Sequence, residues 1–232
     1  MSLWDLVIFD CDGVLVDSEP IANRVFTDLL NELGLATTLE ETMRDYVGRS
    51  MASCMAIVGE RLGRPVPDDF IDAFRDRTAD AFRAELRAVP GIEAALDAIS
   101  DASLPTCVAS SGEHRKIRLS LGLTGLLPRF DGRIFSAQDV ARGKPHPDLF
   151  LHAARAMDAD PSRCVVIEDS PLGVRAGVAA GMTVLGFAAR TEPGALAELG
   201  ALTFDDMTRL PEVLFGTPRT SFRRAEEGLK KD

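Results

Sequence analysis

The composition of this chain of 232 residues is that of an ordinary globular protein, with 46% hydrophobic and 27% charged residues. Its length allows one large domain, or a domain with a smaller one. A formal net charge of −10 argues against a nucleic-acid backbone as the main partner, because such binding depends on clustered Lys and Arg. The four cysteines are widely spaced and form no CxxC pair, which argues against a zinc site or a disulfide framework.

The hydropathy of the chain gives an expectation for its cellular location. No stretch approaches the roughly 18 uninterrupted apolar residues of a membrane span. The N-terminus turns acidic after nine residues, which is unlike a signal peptide. We therefore expect a cytoplasmic protein without a membrane partner, present as a monomer or a small homo-oligomer.

Short apolar runs predict the strands of a sheet. Their residues are apolar at successive positions, as in strands that are buried on both faces of a parallel sheet. The runs are Leu6–Phe9, Thr106–Ala109, Ile134-Phe135, Cys164–Ile167 and Met182–Phe187. Helix-like stretches lie between them, at Ile92–Ile99, Asp148–Met157 and Leu172–Ala180. This alternation predicts an α/β fold with a doubly wound parallel sheet.

The interval from Asp17 to about Ala88 shows helices and no convincing strand. Asp17-Ser18 can cap a first helix, which Gly34 is well placed to end. Further amphipathic stretches follow at Leu39–Tyr46, Met51–Leu62 and Asp68–Leu86. We expect a small helical domain at 17–87, inserted into a core formed by 1–16 and 88–216, with a polar tail at 217–232. The alternative is a run of helices packed flat on the sheet.

Polar residues follow the predicted strands at their carboxyl ends, where ligands bind in open α/β sheets. The first strand runs into Asp10-Cys11-Asp12-Gly13, the second into Ser110-Ser111-Gly112, and the fourth into Glu168-Asp169-Ser170. Lys144 stands in a short loop that is stiffened by two prolines. The fold would therefore bring carboxylates, two hydroxyl groups and one ammonium group to the same edge of the sheet.

Such a cluster of acids predicts a bound cation. Two negative charges about 4 Å apart repel by about 4 kcal/mol at an effective dielectric constant near 20. Oxygen ligands without His or Cys favour Mg²⁺ over zinc, and Mg²⁺ keeps coordination positions for water or phosphate. A metal would also let a carboxylate approach a phosphate dianion.

The paired acids Asp10 and Asp12 then need different roles. A carboxylate can attack phosphorus and form an aspartyl-phosphate. A second carboxyl group can protonate the leaving oxygen and afterwards activate water. Ser110 and Lys144 are suited to hold phosphoryl oxygens, and Ser111 is a further candidate for phosphate binding. Each motif alone is weak, since a DxD sequence also binds metal in nucleotide-sugar transferases.

The whole pattern resembles the haloacid dehalogenase superfamily, in its phosphatase and phosphomutase branch. The resemblance extends from DLVIFDCDGVLVDSE through VASSG and GKPHPD to VVIEDSPLGVRAGVAAGM. It implies a Rossmann-like core with a mobile helical cap that is inserted after the first strand. It further implies that Asp10 is the nucleophile, that Asp12 is the acid/base, and that Ser110 and Lys144 bind phosphate.

The resemblance also implies the Mg²⁺ ligands and the reaction. The ligands would be Asp10, the backbone carbonyl of Asp12, and Asp169, with Glu168 in or beside the first coordination shell.

Dehalogenases and phosphonatases of the family lack the second acid, so Asp12 points to phosphate esters. Many sugar phosphomutases carry a His where this chain has Ala22, which favours hydrolysis and leaves a mutase as the alternative. The amino-acid sequences of these motifs are most similar to those of bacterial sugar-phosphate phosphatases. We therefore expect a small phosphorylated metabolite as the partner.

Residues of the predicted cap would select the substrate. Arg49, in a Gly-Arg-Ser segment that resembles a substrate-contacting segment of the family, is a candidate, although a solvated arginine at a helix end explains it too. Glu19 could line the entrance, or only favour the helix N-terminus as a negative charge. A signalling receiver also uses acids, Mg²⁺, Ser/Thr and Lys, but places its phosphorylated Asp on a middle strand.

Overall fold

The computed structural model describes residues 3–47 and 49–216, so the predicted tail at 217–232 lies outside the described residues. Its centre is a parallel sheet of six strands in the order β3-β2-β1-β4-β5-β6. The strands are β1 (Leu6–Phe9), β2 (Thr106–Ser110), β3 (Ile134–Ser136), β4 (Cys164–Glu168), β5 (Thr183–Phe187) and β6 (Leu202–Phe204). This order reverses at β1 and β4, as in a Rossmann-like sheet, and confirms the predicted α/β fold.

Helices cover both faces of the sheet and fill the interval after β1. They are α1 (Glu19–Glu32), α2 (Leu39–Tyr46), α3 (Met51–Leu62), α4 (Phe70–Glu85), α5 (Ile92–Asp101), α6 (His114–Leu123), α7 (Asp148–Ala156), α8 (Pro171–Ala179), α9 (Pro193–Ala197) and α10 (Leu210–Phe215). The prediction missed α6, α9, α10 and β6. No helix in the described part of the chain is long and apolar enough to cross a membrane.

The apolar run of β1 is continuous because both of its faces are buried. Val7 and Phe9 belong to one hydrophobic cluster, which includes side chains of α5, α6 and α10. Leu6 and Ile8 point to the opposite face and join a second cluster with side chains of α7 and α8. All four β1 side chains are fully buried. A central strand that is packed this way gives its carboxyl end, at Asp10, a fixed position.

Helices α1 to α4 pack around a hydrophobic cluster of their own. Phe26 of α1 lies at its centre and makes edge-on ring contacts with Tyr46, Phe70 and Phe74. The two chain segments that connect these helices to the sheet run side by side, since Val16 and Ala88 form an antiparallel bridge. The inserted helices therefore leave and rejoin the sheet at one place, next to the end of β1.

The start of α1 differs from the prediction in its capping. Ser18 occupies the N-cap position, but its side chain makes no cap hydrogen bond. Its hydroxyl group donates to Asp12 Oδ1 instead, at 2.6 Å. At the other end, Gly34 adopts a φ of +91°, which a residue with a side chain rarely does, and the helix ends there as predicted.

Candidate active site

The predicted chemical groups meet at the carboxyl edge of the sheet. Asp10 directly follows β1, Ser110 is the last residue of β2, and Glu168 is the last residue of β4. These three side chains and that of Asp169 are buried. Parallel neighbours in register bring them together, because Phe9 pairs with Val108 on one side and with Ile167 on the other.

Lys144 is the cation at the centre of this group. Its Nζ donates to Asp10 Oδ1 at 2.7 Å and to Glu168 Oε1 at 2.6 Å. The side chain is only 4% exposed, and its ammonium group lies 4.9 Å from the ring centre of Phe150. Burial by itself would lower the pKa of Lys144, but the charges of Asp10 and Glu168 outweigh it and raise the pKa. Lys144 is therefore a permanent positive charge beside the predicted nucleophile.

The acids at this edge carry more negative charge than Lys144 can balance. Carboxylate oxygens of Asp10, Glu168 and Asp169 all lie within 4.8 Å of one another. Burial, and then the charges of Glu168 and Asp12, raise the pKa of Asp10 to about 7 even though Lys144 lowers it. The pKa of Asp169 is also raised, first by burial and then by Glu168 and Asp10. A further cation would therefore favour full ionisation of this cluster.

The donor chemistry of the cluster fits a hard divalent cation such as Mg²⁺. Glu168 is already engaged, because Oε1 accepts from Lys144 and Oε2 accepts from the backbone N–H and the hydroxyl group of Ser170. Asp169 has room only because residue 13 is glycine, where a Cβ atom would lie 1.9 Å from Asp169 Oδ2. Asp10 and Asp169 are therefore the side chains best placed as ligands, with Glu168 beside them.

Asp12 lies in a different environment from Asp10. Its Oδ2 accepts a hydrogen bond from Lys116 Nζ at 2.7 Å, and its Oδ1 accepts from Ser18. Burial would raise the pKa of Asp12, but Lys116 and the hydrogen bonds lower it below the usual value. Since the side chain faces these donors, a contribution to the metal would come from the backbone carbonyl of Asp12, as the resemblance implies. Lys116 was not predicted.

The loop after β2 is held by Ser136, the last residue of β3. Ser110 Oγ accepts from the backbone N–H of Gly112 at 3.1 Å, and Ser136 Oγ donates to the Gly112 carbonyl at 2.7 Å. Ser111 is exposed and lines a cavity beside the loop. The two predicted phosphate-binding serines therefore occupy a well-braced turn at the end of β2.

A cavity of about 320 Å³ lies between the inserted helices and the start of α6. Its lining includes Ala22, Met51, Phe74, Phe82, Ser111 and Lys116. A second cavity of about 650 Å³ borders Gly13, Asp17, Asp169 and Arg190. The largely apolar cavity therefore lies between the inserted helices and α6, and the more polar one borders Asp169, one of the acids that could hold a metal ion.

The two residues predicted to contact substrate from the inserted helices differ in their positions. Glu19 begins α1, and its pKa is raised, first by burial and then by the charge of Asp12. It therefore lies close to the acids of the core. Arg49 is exposed, and its Nε donates to the carbonyl of Asp45 at 2.7 Å.

Comparison with known proteins identifies the family. Residues 4–181 match the family model described as haloacid dehalogenase-like hydrolase. The chain is 34% identical to 6-phosphogluconate phosphatase of Escherichia coli over 214 residues, which are 92% of this chain and 96% of the relative. This chain therefore belongs to the haloacid dehalogenase-like hydrolases.

Solved structures agree with this assignment. A family hydrolase of Deinococcus radiodurans, with bound phosphate and sodium, has a TM-score of 0.78 and 34% identity over 92% of this chain and 96% of that one. A putative β-phosphoglucomutase of Thermotoga maritima has a TM-score of 0.76 and 27% identity, over 90% of this chain and 98% of that one. By enzyme class, this member of the family is a phosphoric monoester hydrolase.

Proposed function

We propose that this protein hydrolyses phosphate monoesters of small sugars and sugar acids, with Mg²⁺ and through a phosphorylated Asp10. The observation that carries the proposal is that two neighbouring acids have different surroundings, which suit them to different roles. Asp10 is buried against Lys144, whereas Asp12 is bound by Lys116, which lines the cavity under the inserted helices. The name of the Escherichia coli relative supports a phosphorylated sugar acid as the substrate.

In the first step, a carboxylate oxygen of Asp10 attacks phosphorus. The bond between phosphorus and the ester oxygen breaks, and this oxygen takes a proton from Asp12. Asp12 must bind this proton before the step, because Lys116 and Ser18 favour its ionised form in the free enzyme. Ser110 donates a hydrogen bond to a phosphoryl oxygen, and Lys144 holds the nucleophile and the phosphoryl group by its charge. The alcohol leaves, and Asp10 remains phosphorylated.

In the second step, water replaces the alcohol. Asp12, now ionised, takes a proton from water while the water oxygen attacks phosphorus. The bond between phosphorus and Asp10 breaks, which releases inorganic phosphate and restores both acids. The balance is one ester and one water consumed, with one alcohol and one phosphate formed.

The residues that would hold Mg²⁺ are Asp10, Asp169 and the backbone carbonyl of Asp12, with Glu168 beside them. Bound there, the cation would neutralise the charge of these acids and of the phosphoryl group. Lys144 contributes by binding Glu168 and Asp10 together, so that both carboxylates keep fixed orientations.

We further propose that helices α1 to α4, within residues 17–87, form a cap that selects the substrate. Their separate hydrophobic cluster and their paired connections at Val16 and Ala88 support this interpretation. So does the cavity that they form with the core. The core contacts the phosphoryl group of any ester, whereas the cap is placed to contact the rest of the molecule.

A sugar phosphomutase is the second candidate, since one structural neighbour carries the name putative β-phosphoglucomutase. A mutase must hold a sugar hydroxyl group as the phosphoryl acceptor. Ala22 lines the cavity at the position where the sequence resemblance expects a His in many mutases. A methyl group offers neither a hydrogen bond nor a proton, which supports water as the acceptor.

The proposal is tested by phosphate release from a panel of 6-phosphogluconate, glucose 6-phosphate, sorbitol 6-phosphate and p-nitrophenyl phosphate. We expect release with Mg²⁺ and none with excess EDTA. Asp10→Asn should lower kcat by at least about a thousandfold, because the covalent step needs a carboxylate nucleophile. Asp5→Asn, which removes an exposed acid paired with Arg163, is the matched control and should keep wild-type kcat.

Two results would overturn the proposal. Full turnover by Asp10→Asn would exclude the covalent step. Interconversion of hexose 1- and 6-phosphates after priming with a hexose bisphosphate, without phosphate release, would establish the mutase instead.

A further inference from the structure

Lys116 holds the proposed acid/base from a distant part of the sequence. Its Nζ donates to Asp12 Oδ2 at 2.7 Å, while Ser18 Oγ donates to Oδ1 at 2.6 Å. Each oxygen of the Asp12 carboxylate thus has its own donor, one from α6 and one from the connection to α1. Charge-assisted hydrogen bonds of this length are among the stronger ones in proteins, so the carboxylate is fixed in one orientation.

The position of Lys116 is itself fixed by its surroundings. Its helix α6 begins at His114, whose backbone N–H donates to Gln138 Oε1 at 3.2 Å and whose Nε2 lies 2.8 Å from Asp139 Oδ1. The Lys116 ammonium group lies 5.9 Å from the ring centre of Phe82, on α4. Lys116 therefore stands between an inserted helix and Asp12, in the wall of the cavity.

We propose that Lys116 is a positioning residue, which holds the Asp12 carboxyl group where the leaving oxygen of the substrate arrives. This proposal rests on the proposed function, because it needs Asp12 as the proton donor to an ester oxygen. A general acid must lie within hydrogen-bond reach of the atom that it protonates. Without Lys116, Asp12 Oδ2 loses its donor while Oδ1 keeps that of Ser18, so the carboxyl group is held at one oxygen instead of two.

This role has a specific kinetic signature. A sugar alkoxide is a poor leaving group that depends on protonation, whereas p-nitrophenolate leaves with little need for an acid. A positioning residue for Asp12 therefore matters for sugar phosphates and hardly at all for p-nitrophenyl phosphate. A residue that binds the phosphoryl group would affect both substrates equally.

The test compares Lys116→Met with Arg118→Met in the full chain with Mg²⁺. Arg118 is two positions further along α6, half exposed, and 3.9 Å from Asp131, so it is the matched control. Lys116→Met should lower kcat for 6-phosphogluconate about tenfold or more, with a smaller change in KM, and kcat for p-nitrophenyl phosphate by less than about twofold. Lys116→Arg should recover most of the loss, and Arg118→Met should match wild type.

A double variant shows whether Lys116 acts through Asp12. In an Asp12→Asn background, Lys116→Met should cause no further loss, because the carboxyl group that it positions is absent. Lys116→Gln serves as the neutral variant if the Met variant does not fold, as judged by its melting temperature. Equal losses on both substrates, an additive loss in the double variant, or identity with Arg118→Met would each overturn the proposal. A wild-type protein without phosphatase activity would instead overturn the proposed function, and this inference with it.

Discussion

The core and the inserted helices hold their charged groups in different ways. Lys144 of the core is buried and binds two carboxylates through hydrogen bonds. Arg49, between α2 and α3, is exposed and binds a single backbone carbonyl. The first arrangement cannot change without leaving buried charges unpaired, whereas the second can change at little cost. This difference supports the proposal that the core performs one reaction and that the inserted helices select among substrates.

The strongest test of this contrast is the removal of the buried cation. Lys144→Met should lower kcat/KM by at least about a thousandfold on every phosphate ester, because Asp10, the proposed nucleophile, and Glu168 lose the cation that binds both of them and that is proposed to hold the phosphoryl group. Steady-state kinetics on a sugar phosphate and on p-nitrophenyl phosphate measure the effect. Arg142→Met is the matched control, since Arg142 precedes Lys144 by two positions and forms an exposed pair with Asp148. A loss confined to one substrate would contradict a general role for Lys144.

Much of the core site follows from the sequence because position along a buried strand determines position in the fold. Asp10, Ser110 and Glu168 lie at or directly after the carboxyl ends of apolar runs, and parallel pairing brings these ends to one edge. The acids proposed to bind a metal could therefore be grouped without a structure. The same rule, which looks for continuous apolar runs, missed strand β6. This strand has only three residues, and Leu202 is exposed, so it forms no buried apolar run.

The partners of Asp12 could not be predicted in this way. Lys116 is separated from Asp12 by 104 positions and lies on a helix, where no strand end fixes its direction. The prediction assigned Ser18 to helix capping, which is the usual role of Ser before a helix. In the folded chain this hydroxyl group donates to the Asp12 carboxylate and accepts no cap hydrogen bond. The capping rule fails here because it considers only the first turn of the helix, whereas the carboxylate that binds Ser18 lies six positions earlier, outside the helix.

A second prediction uses the pH dependence of metal binding by the core acids. Burial raises the pKa of Asp10 to about 7 in the protein without metal, above the ordinary value of 3.8. Between these two pH values the folded state binds more protons than the unfolded state, so the stability of the metal-free protein falls as pH rises and levels off above about 7. The proposed Mg²⁺ would bind the ionised acids, and it should therefore raise the melting temperature more at pH 8 than at pH 5.5.

Thermal melts with and without Mg²⁺ at the two pH values measure this linkage. Asp169→Asn removes one proposed ligand and should lose most of the stabilisation by Mg²⁺ at pH 8. Asp206→Asn, which changes an exposed acid at the start of a short helical turn, is the control and should keep it. An equal shift in melting temperature at pH 5.5 and pH 8 would mean that Asp10 is not part of the metal site.

The smallest expected effect concerns the inserted helices. Arg49→Met should raise KM for 6-phosphogluconate by about three- to tenfold and leave kcat nearly unchanged, because a contact to the distant part of a substrate contributes mainly to binding. The KM for p-nitrophenyl phosphate, which has no sugar to contact, should stay the same. Arg44→Met, in which another exposed arginine of this region loses its pair with Asp45, is the matched control. If Arg49→Met and Arg44→Met give the same KM, Arg49 only supports the carbonyl of Asp45, and the choice of substrate must come from the apolar wall of the cavity.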